Sequence, residues 1–132
     1  MTLAIGIDHT DIDVLARRLA RSRNDFAARF CTPAELLACD GRPERLADRW
    51  VAKEATMKAL GQGIGVLDPR HIELVGPRTQ PELTLQGSAS RRAAALELDT
   101  WNVSIARDGT LAFALVIGIG SGSGSGSGKN NR

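Results

Sequence analysis

The chain opens with hydrophobic residues at every second position. In "LAIGID", Leu3, Ile5 and Ile7 alternate with other residues, and Asp8 closes the run. A period of two is that of a β-strand with one buried face. We therefore predict a strand over residues 3–8.

Helical spacing replaces this alternation after residue 10. Leu15 and Leu19 lie four positions apart among polar residues, which places both on one face of a helix. Thr10 or Asp11 can cap its first turn, and we expect the helix to run to about Arg23.

Two further helices carry clear start and stop signals. "CTPAELLAC" begins with Thr32 as the N-cap, Pro33 in the first turn and Glu35 three positions after the cap, which is the capping-box pattern. A "DGRP" turn separates this helix from a longer one, which is predicted over residues 43–60 and ended by Gly61.

The second half of the chain returns to strand-like patterns around one more helix. "GPRTQ" is typical of one hairpin turn and "RDG" of another. The predicted strands are 71–75, 81–86, 101–106 and 110–118, and the predicted helix is 88–98. The order β-α-α-α-β-β-α-β-β indicates an α+β domain with a mostly antiparallel sheet and a long central helix.

Length and composition fit one globular domain. The chain has 132 residues, of which 42% are hydrophobic, enough for a single modest core. No apolar run approaches the ~20 residues that cross a bilayer, and "MTLAIGID" lacks the positive start of a signal peptide. Cys31 and Cys39 have neither zinc-site nor redox-motif spacing, so we expect a reduced, cytoplasmic protein.

A Gly/Ser repeat ends the chain and changes the charge balance. "GSGSGSGSGKNNR" has the composition of a flexible linker. We assign residues 1–119 to the folded domain and residues 120–132 to a linker or appended tail. Without Lys129 and Arg132 the 17 basic residues become 15, equal to the 15 acidic residues. Any basic surface must therefore be local.

Such a surface is predicted on the first helix. Arg17 and Arg21 lie four residues apart on one face with Arg18 beside them, and Arg23 and Arg29 follow. The cluster is either a solvated helix face or a docking surface for an acidic partner. Nucleic acid is a weaker candidate, because the domain is neutral overall and has few aromatic residues.

Two carboxylates occupy positions that call for a compensating charge. Glu54 shares a helical stripe with Trp50 and Met57, where an uncompensated carboxylate is costly. Either Lys58, four positions later, pairs with it, or a ligand provides the cation. Asp8, at the end of the first strand, either caps the next helix or belongs to a functional site.

The neighbours of this stripe raise the question of ligand contact. Lys53 is expected to face solvent or a ligand rather than to pair with Glu54. Gly61, Gly63 and Gly65 in "GQGIG" would let a ligand approach backbone N–H groups, or they only end the helix and form a flexible connection.

Three segments together carry a family resemblance: "IGID", "RWVAKEATMKALGQGIG" and "WNVSIARDG". In this order and spacing they resemble the small holo-acyl-carrier-protein synthases, the short bacterial type of 4′-phosphopantetheinyl transferase. The resemblance covers nearly all of residues 3–117 and implies the fold of that family. It also implies transfer of the phosphopantetheine arm from coenzyme A to a serine of an acyl carrier protein, with release of adenosine 3′,5′-bisphosphate.

The resemblance implies a metal site and two catalytic residues. Asp8 and Glu54 would bind magnesium, with manganese as an alternative, together with a pyrophosphate oxygen and water. This ligand set suits magnesium, which usually combines a few carboxylates with phosphate and water. Glu54, or a water that it holds, would help to remove the serine proton. Lys58 would stabilise or protonate the departing phosphate.

The same resemblance implies further contacts. Arg17, Arg18 and Arg21 would dock the acidic recognition helix of the carrier protein. Family members are usually homotrimers with coenzyme A bound between subunits, so the carboxylates of one chain would work with residues 101–109 of another. The implied coenzyme A contacts are Arg49, Lys53, Lys58, Gly61, Gly63, Gly65, Ser104 and Arg107.

One motif departs from the family. Its usual form is His-x-Ser-x-(Ser/Thr)-His, whereas "NVSIAR" places Asn102, Ala106 and Arg107 at three of those positions. Arg107 either replaces an imidazole as a phosphate ligand or points into solvent at the hairpin turn. The rival to the enzyme is therefore a degenerate relative that binds coenzyme A or carrier protein without efficient transfer.

Overall fold

The computed structural model describes residues 1–22 and 25–121. Arg23, the predicted end of the first helix, and residues 122–132 of the predicted tail lie outside the described residues. The strands are β1 (Thr2–Asp11), β2 (Ile72–Val75), β3 (Glu82–Leu85), β4 (Thr100–Asp108) and β5 (Leu111–Gly120). The helices are α1 (Ile12–Arg21), α2 (Asp25–Phe30), α3 (Pro33–Cys39), α4 (Pro43–Leu60) and α5 (Gly87–Ala95), with a 3-10 turn at Pro69–His71.

An antiparallel sheet with the strand order β1-β5-β4 forms the centre of the fold. β1 pairs with β5 along its whole length, from Thr2 opposite Gly120 to Asp11 opposite Leu111. This pairing explains why β1 is longer than the predicted 3–8. β4 and β5 form the predicted hairpin, and β2 and β3 form a separate two-stranded sheet. The predicted α+β class with antiparallel strands is confirmed.

The long helix α4 packs against one face of this sheet at unusually close range. A Cβ atom on Gly6 of β1 would lie 1.8 Å from the backbone oxygen of Ala55, so only glycine allows the two elements to approach this closely. Ala47, Ala52 and Ala55 of α4 are fully buried. Within residues 1–22 and 25–121, no helix has the length and apolar character needed to cross a membrane.

The other face of the sheet is open and apolar. Leu3, Ile5 and Ile7 are 56%, 56% and 62% exposed, and Leu115 of β5 lies opposite Ile7 in the register. The alternation in β1 therefore predicts a strand correctly but assigns the wrong buried face. The side that α4 covers carries Gly6, because α4 lies too close to admit larger residues.

One helix is missing from the sequence prediction. α2 occupies Asp25–Phe30, so the described chain has four helices between β1 and β2 instead of three. Phe26 and Phe30 anchor it against Trp50, at ring-centroid distances of 5.4 and 5.1 Å. Elsewhere the local signals are confirmed, since Asp11 caps α1 and Gly61 ends α4.

The capping box of α3 is present as predicted. The Thr32 hydroxyl accepts a hydrogen bond from the Glu35 backbone N–H, and the Glu35 carboxylate accepts one from the Thr32 N–H. Because these bonds satisfy two donors that the helix itself leaves unpaired, they fix where α3 begins.

Candidate functional site

Asp8, Glu54 and Lys58 occupy the region where β1 crosses the last turns of α4. The Lys58 Nζ lies 2.9 Å from Asp8 Oδ1 and donates a second hydrogen bond to the Ile7 carbonyl at 3.1 Å. The Asp8 side chain is 15% exposed, whereas that of Lys58 is 56% exposed. Lys58 therefore pairs with Asp8, not with Glu54, and its ammonium group remains accessible.

Glu54 lies close enough to Asp8 for the two carboxylates to affect each other. Burial raises the pKa of Glu54, the negative charge of Asp8 raises it further, and Lys58 opposes both effects. Asp8 is free for such a role because Asp11 is the residue that caps α1. Among residues 1–22 and 25–121, Lys58 is the one cation that offsets these two neighbouring carboxylates, which favours the binding of another cation.

A cleft beside this pair is lined by the end of α4 and the first glycines after it. Its volume is about 240 Å³, and Gly61 and Gly63 line it together with Glu54 and Lys58. Gly61 adopts the left-handed conformation, with φ of 69°, and its N–H bonds back to the last turn of α4. Gly65 lines a different cavity, beyond the cleft.

A larger cavity of about 520 Å³ lies towards the other end of α4. Arg49 is only 9% exposed there, and its Nη1 donates to the Arg45 carbonyl at 3.2 Å. Its Nε is buried and has no hydrogen-bond partner within the part of the chain that the structure describes. Five arginines line this cavity: Arg42, Arg45, Arg49, Arg78 and Arg107.

Of these five arginines, only Arg49 and Arg107 belong to the contacts predicted from the sequence. Arg42 and Arg45 lie seven and four positions before Arg49, which is a helical spacing that could have indicated them. Arg78 comes from the turn between β2 and β3, and no local signal connects that turn to α4. The electrostatic character of the cavity therefore emerges only from the fold.

Arg107 is held against α4 by an ion pair with Asp48. Its Nε and Nη2 donate to the two carboxylate oxygens of Asp48 at 3.2 and 2.7 Å, and Nη2 also donates to the Glu44 carbonyl at 2.9 Å. The prediction that Arg107 points into solvent at the hairpin turn is therefore wrong. Contact between Arg107 and a phosphate stays a prediction, since Arg107 lines the cavity while Asp48 compensates its charge.

Lys53 is buried and structural. It is 1% exposed, its Nζ lies 2.7 Å from Glu35 Oε1, and it also donates to the carbonyls of Pro69 and Ile72. The expectation that Lys53 faces solvent or contacts the nucleotide is therefore wrong. The reason is tertiary, since α3 and β2 enclose this side of α4 and the buried Glu35 requires a cation.

Ser104 lies on a different surface from the carboxylates. It is an exposed residue of β4 and pairs in the register with Leu115, which is on the open face of the sheet. Asp8 pairs with the buried Ala114 and lies on the side that packs against α4. Within one chain, Ser104 therefore lies on the opposite face of the sheet from Asp8, Glu54 and Lys58.

The arginines of α1 form an exposed surface. Leu15 and Leu19 turn inward, and Arg17, Arg18 and Arg21 are all exposed. The guanidinium of Arg18 also lies over the ring of Phe26, 4.1 Å from its centroid, so Arg18 helps to attach α1 to α2. Arg17 and Arg21 make no ion pair within residues 1–22 and 25–121.

The fold and the site together define a class of protein. Two carboxylates and an accessible lysine beside a glycine-lined cleft, with an arginine-lined cavity towards the other end of the same helix, are typical of proteins that handle phosphorylated ligands. A sequence model of the 4′-phosphopantetheinyl transferase superfamily matches residues 4–114. The chain belongs to that superfamily, as the resemblance of its motifs implies.

Individual relatives agree with this assignment. The chain is 39% identical over 124 residues to a holo-(acyl-carrier-protein) synthase of Herpetosiphon aurantiacus, covering 88% of this chain and 98% of the relative. It is 40% identical over 121 residues to the protein of that name from Nitratidesulfovibrio vulgaris, covering 89% and 98% of the two chains.

Solved structures of the same kind share the fold. The Helicobacter pylori holo-(acyl-carrier-protein) synthase in complex with coenzyme A matches with a TM-score of 0.77 at 29% identity, covering 87% of this chain and 99% of that one. The coenzyme A complex from Chronobacterium ammoniagenes matches with a TM-score of 0.79 at 26% identity, covering 90% and 98%. The predicted phosphopantetheinyl-transferase-like fold is confirmed.

Proposed function

We propose that the protein transfers 4′-phosphopantetheine from coenzyme A to a serine of an apo acyl carrier protein. The second product is adenosine 3′,5′-bisphosphate. The observation that carries this proposal is the position of Asp8, Glu54 and Lys58 beside the glycine-lined cleft. The names of the two relatives and the coenzyme A in the two solved structures support it.

The residues of the site fit a magnesium ion, or manganese in its place. Asp8 and Glu54 supply oxygen ligands only. Burial and then the proximity of Asp8 raise the pKa of Glu54, a cost that a divalent cation would relieve. The remaining ligands would be water and a phosphate oxygen. When bound, the metal would neutralise charge on the pyrophosphate during transfer.

Glu54 and Lys58 divide the proton chemistry between them. The serine oxygen attacks the pyrophosphate phosphorus next to the pantetheine arm, while its proton passes to Glu54 or to a water that Glu54 holds. Glu54 lines the cleft beside Lys58, so its carboxylate is placed to act as this base or to hold that water. The bond from this phosphorus to the bridging oxygen breaks, and Lys58 stabilises or protonates the leaving phosphate.

The arginine-lined cavity suits the nucleotide end of coenzyme A. Arg49 lies five residues before Glu54 on α4, which separates the two side chains by about 7.5 Å along the helix axis and about 140° around it, so an extended ligand is needed to reach both. Its buried, unpaired Nε offers a charge-assisted hydrogen bond to a phosphate. We therefore keep Arg49 as a phosphate contact of the substrate and remove Lys53, which is bound to Glu35.

The exposed arginines of α1 suit an acidic carrier protein. Arg17 and Arg21 lie on one face of α1, and Val14, 54% exposed, adds an apolar contact beside them. Opposite charges across an interface accelerate encounter and fix its orientation. We assign docking of the carrier protein to this surface, with Arg18 contributing through its contact with Phe26.

Assembly into a homotrimer would cover the open face of the sheet. Leu3, Ile5 and Ile7 are each more than half exposed, and contiguous apolar surface of this kind is typical of an interface. The same assembly would bring Ser104, which lies on this face, into reach of the carboxylates of another copy. It would thereby unite the parts of the site that one chain separates.

Transfer can be tested by mass spectrometry. Apo carrier protein is incubated with coenzyme A, magnesium and this protein, and the intact mass of the carrier is then measured. A gain of the phosphopantetheine mass on serine supports the proposal. Formation of a complex without that gain would instead identify a binding module. If several carrier proteins show neither the mass gain nor a complex, both the enzyme and the binding module are contradicted.

A further inference from the structure

The arginine-lined cavity contains carboxylates as well as cations. Glu44 and Asp48 line it together with the five arginines. Of these two acids, Asp48 alone forms an ion pair within the described residues, and its partner is Arg107. The arginines of the cavity are therefore not equivalent in the charge that they offer to a ligand.

The ion pair between Asp48 and Arg107 is shielded and well aligned. The Asp48 side chain is 5% exposed and that of Arg107 is 23% exposed. Two parallel hydrogen bonds join them, at 2.7 and 3.2 Å, which is the bidentate geometry that arginine favours with carboxylates. A ligand in the cavity therefore meets an almost neutral unit in place of a free guanidinium.

Arg49, which follows Asp48 along α4, differs from Arg107 because no carboxylate neutralises its charge in the described part of the chain. Its guanidinium is buried, and its single described hydrogen bond goes to a backbone carbonyl, that of Arg45. No carboxylate of the described chain lies within ion-pair distance of Arg49. A buried cation in this state favours an anionic ligand.

We infer that Asp48 is a positioning residue that directs the substrate phosphate to Arg49. It cancels the charge of Arg107 and holds that side chain as a wall of the cavity. Arg107, at a position where this chain departs from its family, is thus not itself a phosphate ligand. The inference rests on the proposed function, because the phosphate in question is that of coenzyme A.

If Asp48 has this role, removing Arg107 should weaken nucleotide binding indirectly. Arg107→Gln leaves the carboxylate of Asp48 buried beside the phosphate site without its cation. Like charges in such proximity repel strongly, so nucleotide binding should weaken although no direct contact is lost. Adding Asp48→Asn removes the repulsion and should restore binding, because two amides can still form a hydrogen bond in place of the ion pair.

Calorimetric titration with coenzyme A and with adenosine 3′,5′-bisphosphate can test this inference. We expect Arg107→Gln alone to bind both about tenfold more weakly, and Asp48→Asn together with Arg107→Gln to return to within about threefold of the unmodified protein. Arg49→Gln is the matched control, and it should bind about tenfold more weakly or worse because it removes the phosphate contact. Thermal unfolding of each variant checks that the fold is intact.

Three outcomes would overturn the inference. If Arg49→Gln binds as tightly as the unmodified protein, the phosphate is not directed to Arg49. If the paired substitution binds as weakly as Arg107→Gln, Arg107 contacts the phosphate directly. If Arg107→Gln binds as tightly as the unmodified protein, the charge of Asp48 does not reach the ligand. Failure of the unmodified protein to bind coenzyme A would overturn the proposed function itself, so the two failures are distinguishable.

Discussion

At the scale of single residues, Glu54 is the side chain on which both metal binding and proton transfer depend. Glu54→Gln is nearly isosteric but cannot hold the charge, and we expect the transfer rate to fall by about 100-fold or more. Stability should be unchanged or slightly higher, because burial and Asp8 already raise the pKa of Glu54 and disfavour its charged form in the folded chain.

Steady-state transfer rates and thermal unfolding measure the two effects of Glu54→Gln separately. Glu82→Gln is a suitable control, since Glu82 is exposed on β3 and makes no ion pair in the described part of the chain. Transfer by Glu54→Gln at the rate of this control would remove Glu54 from the chemistry.

Lys53 should behave as a structural residue in spite of its place beside Glu54. Lys53→Met leaves Glu35 buried without a cation, which typically lowers the free energy of unfolding by about 3–5 kcal/mol. Glu35→Gln in the same chain should recover part of this loss, because it removes the uncompensated charge. Urea denaturation measures both. A stable Lys53→Met variant that has lost coenzyme A binding would return Lys53 to the nucleotide site.

At the scale of elements, helix α1 should contribute binding without contributing catalysis. Leu15 and Leu19 hold it to the core, so Arg17→Glu with Arg21→Glu should leave stability nearly unchanged. We expect the KM for carrier protein to rise by about tenfold and the Kd for coenzyme A to stay the same. Arg91→Glu, on the exposed side of α5, is the control. An unchanged KM in the double variant would exclude α1 from the docking surface.

Local sequence signals account for most of the element boundaries. The capping box at Thr32 and Glu35 and the stop at Gly61 are each complete within a few residues, so they can be recognised without the fold. Helix α2 could not be recognised in this way. It has six residues, and Phe26 and Phe30 become meaningful only through their contact with Trp50, which lies far along the chain.

The residues of the site also differ in whether a local sequence signal or only the fold reveals their role. Asp8, Glu54 and Lys58 lie within recognisable motifs, and the structure brings them together. The ion pairs of Lys53 and Arg107 cannot be predicted from local sequence because the partners are remote: Glu35 lies 18 positions from Lys53 and Asp48 lies 59 from Arg107. A pattern in sequence shows which side chains carry charge, but only the fold shows which charges are already compensated.

At the scale of the whole molecule, the open face of the sheet should determine assembly. Ile5→Asp places a charge in the middle of that face, where burial against another copy would be costly. We expect sedimentation velocity to give a trimer for the unmodified protein and a monomer with little transfer activity for Ile5→Asp. Leu37→Asp, at an 84% exposed position of α3, is the matched control and should remain a trimer. An unmodified protein that is monomeric and fully active would contradict this view.

The most direct measurement follows turnover with carrier protein in large molar excess over this protein. Mass spectrometry counts the carrier molecules that have gained phosphopantetheine, and chromatography counts the adenosine 3′,5′-bisphosphate released. The proposed enzyme should modify essentially all of the carrier, on one serine, with equal amounts of the two products and only when a divalent metal is present. Modification of no more than one carrier per molecule of this protein, or none with complex formation intact, would contradict catalysis.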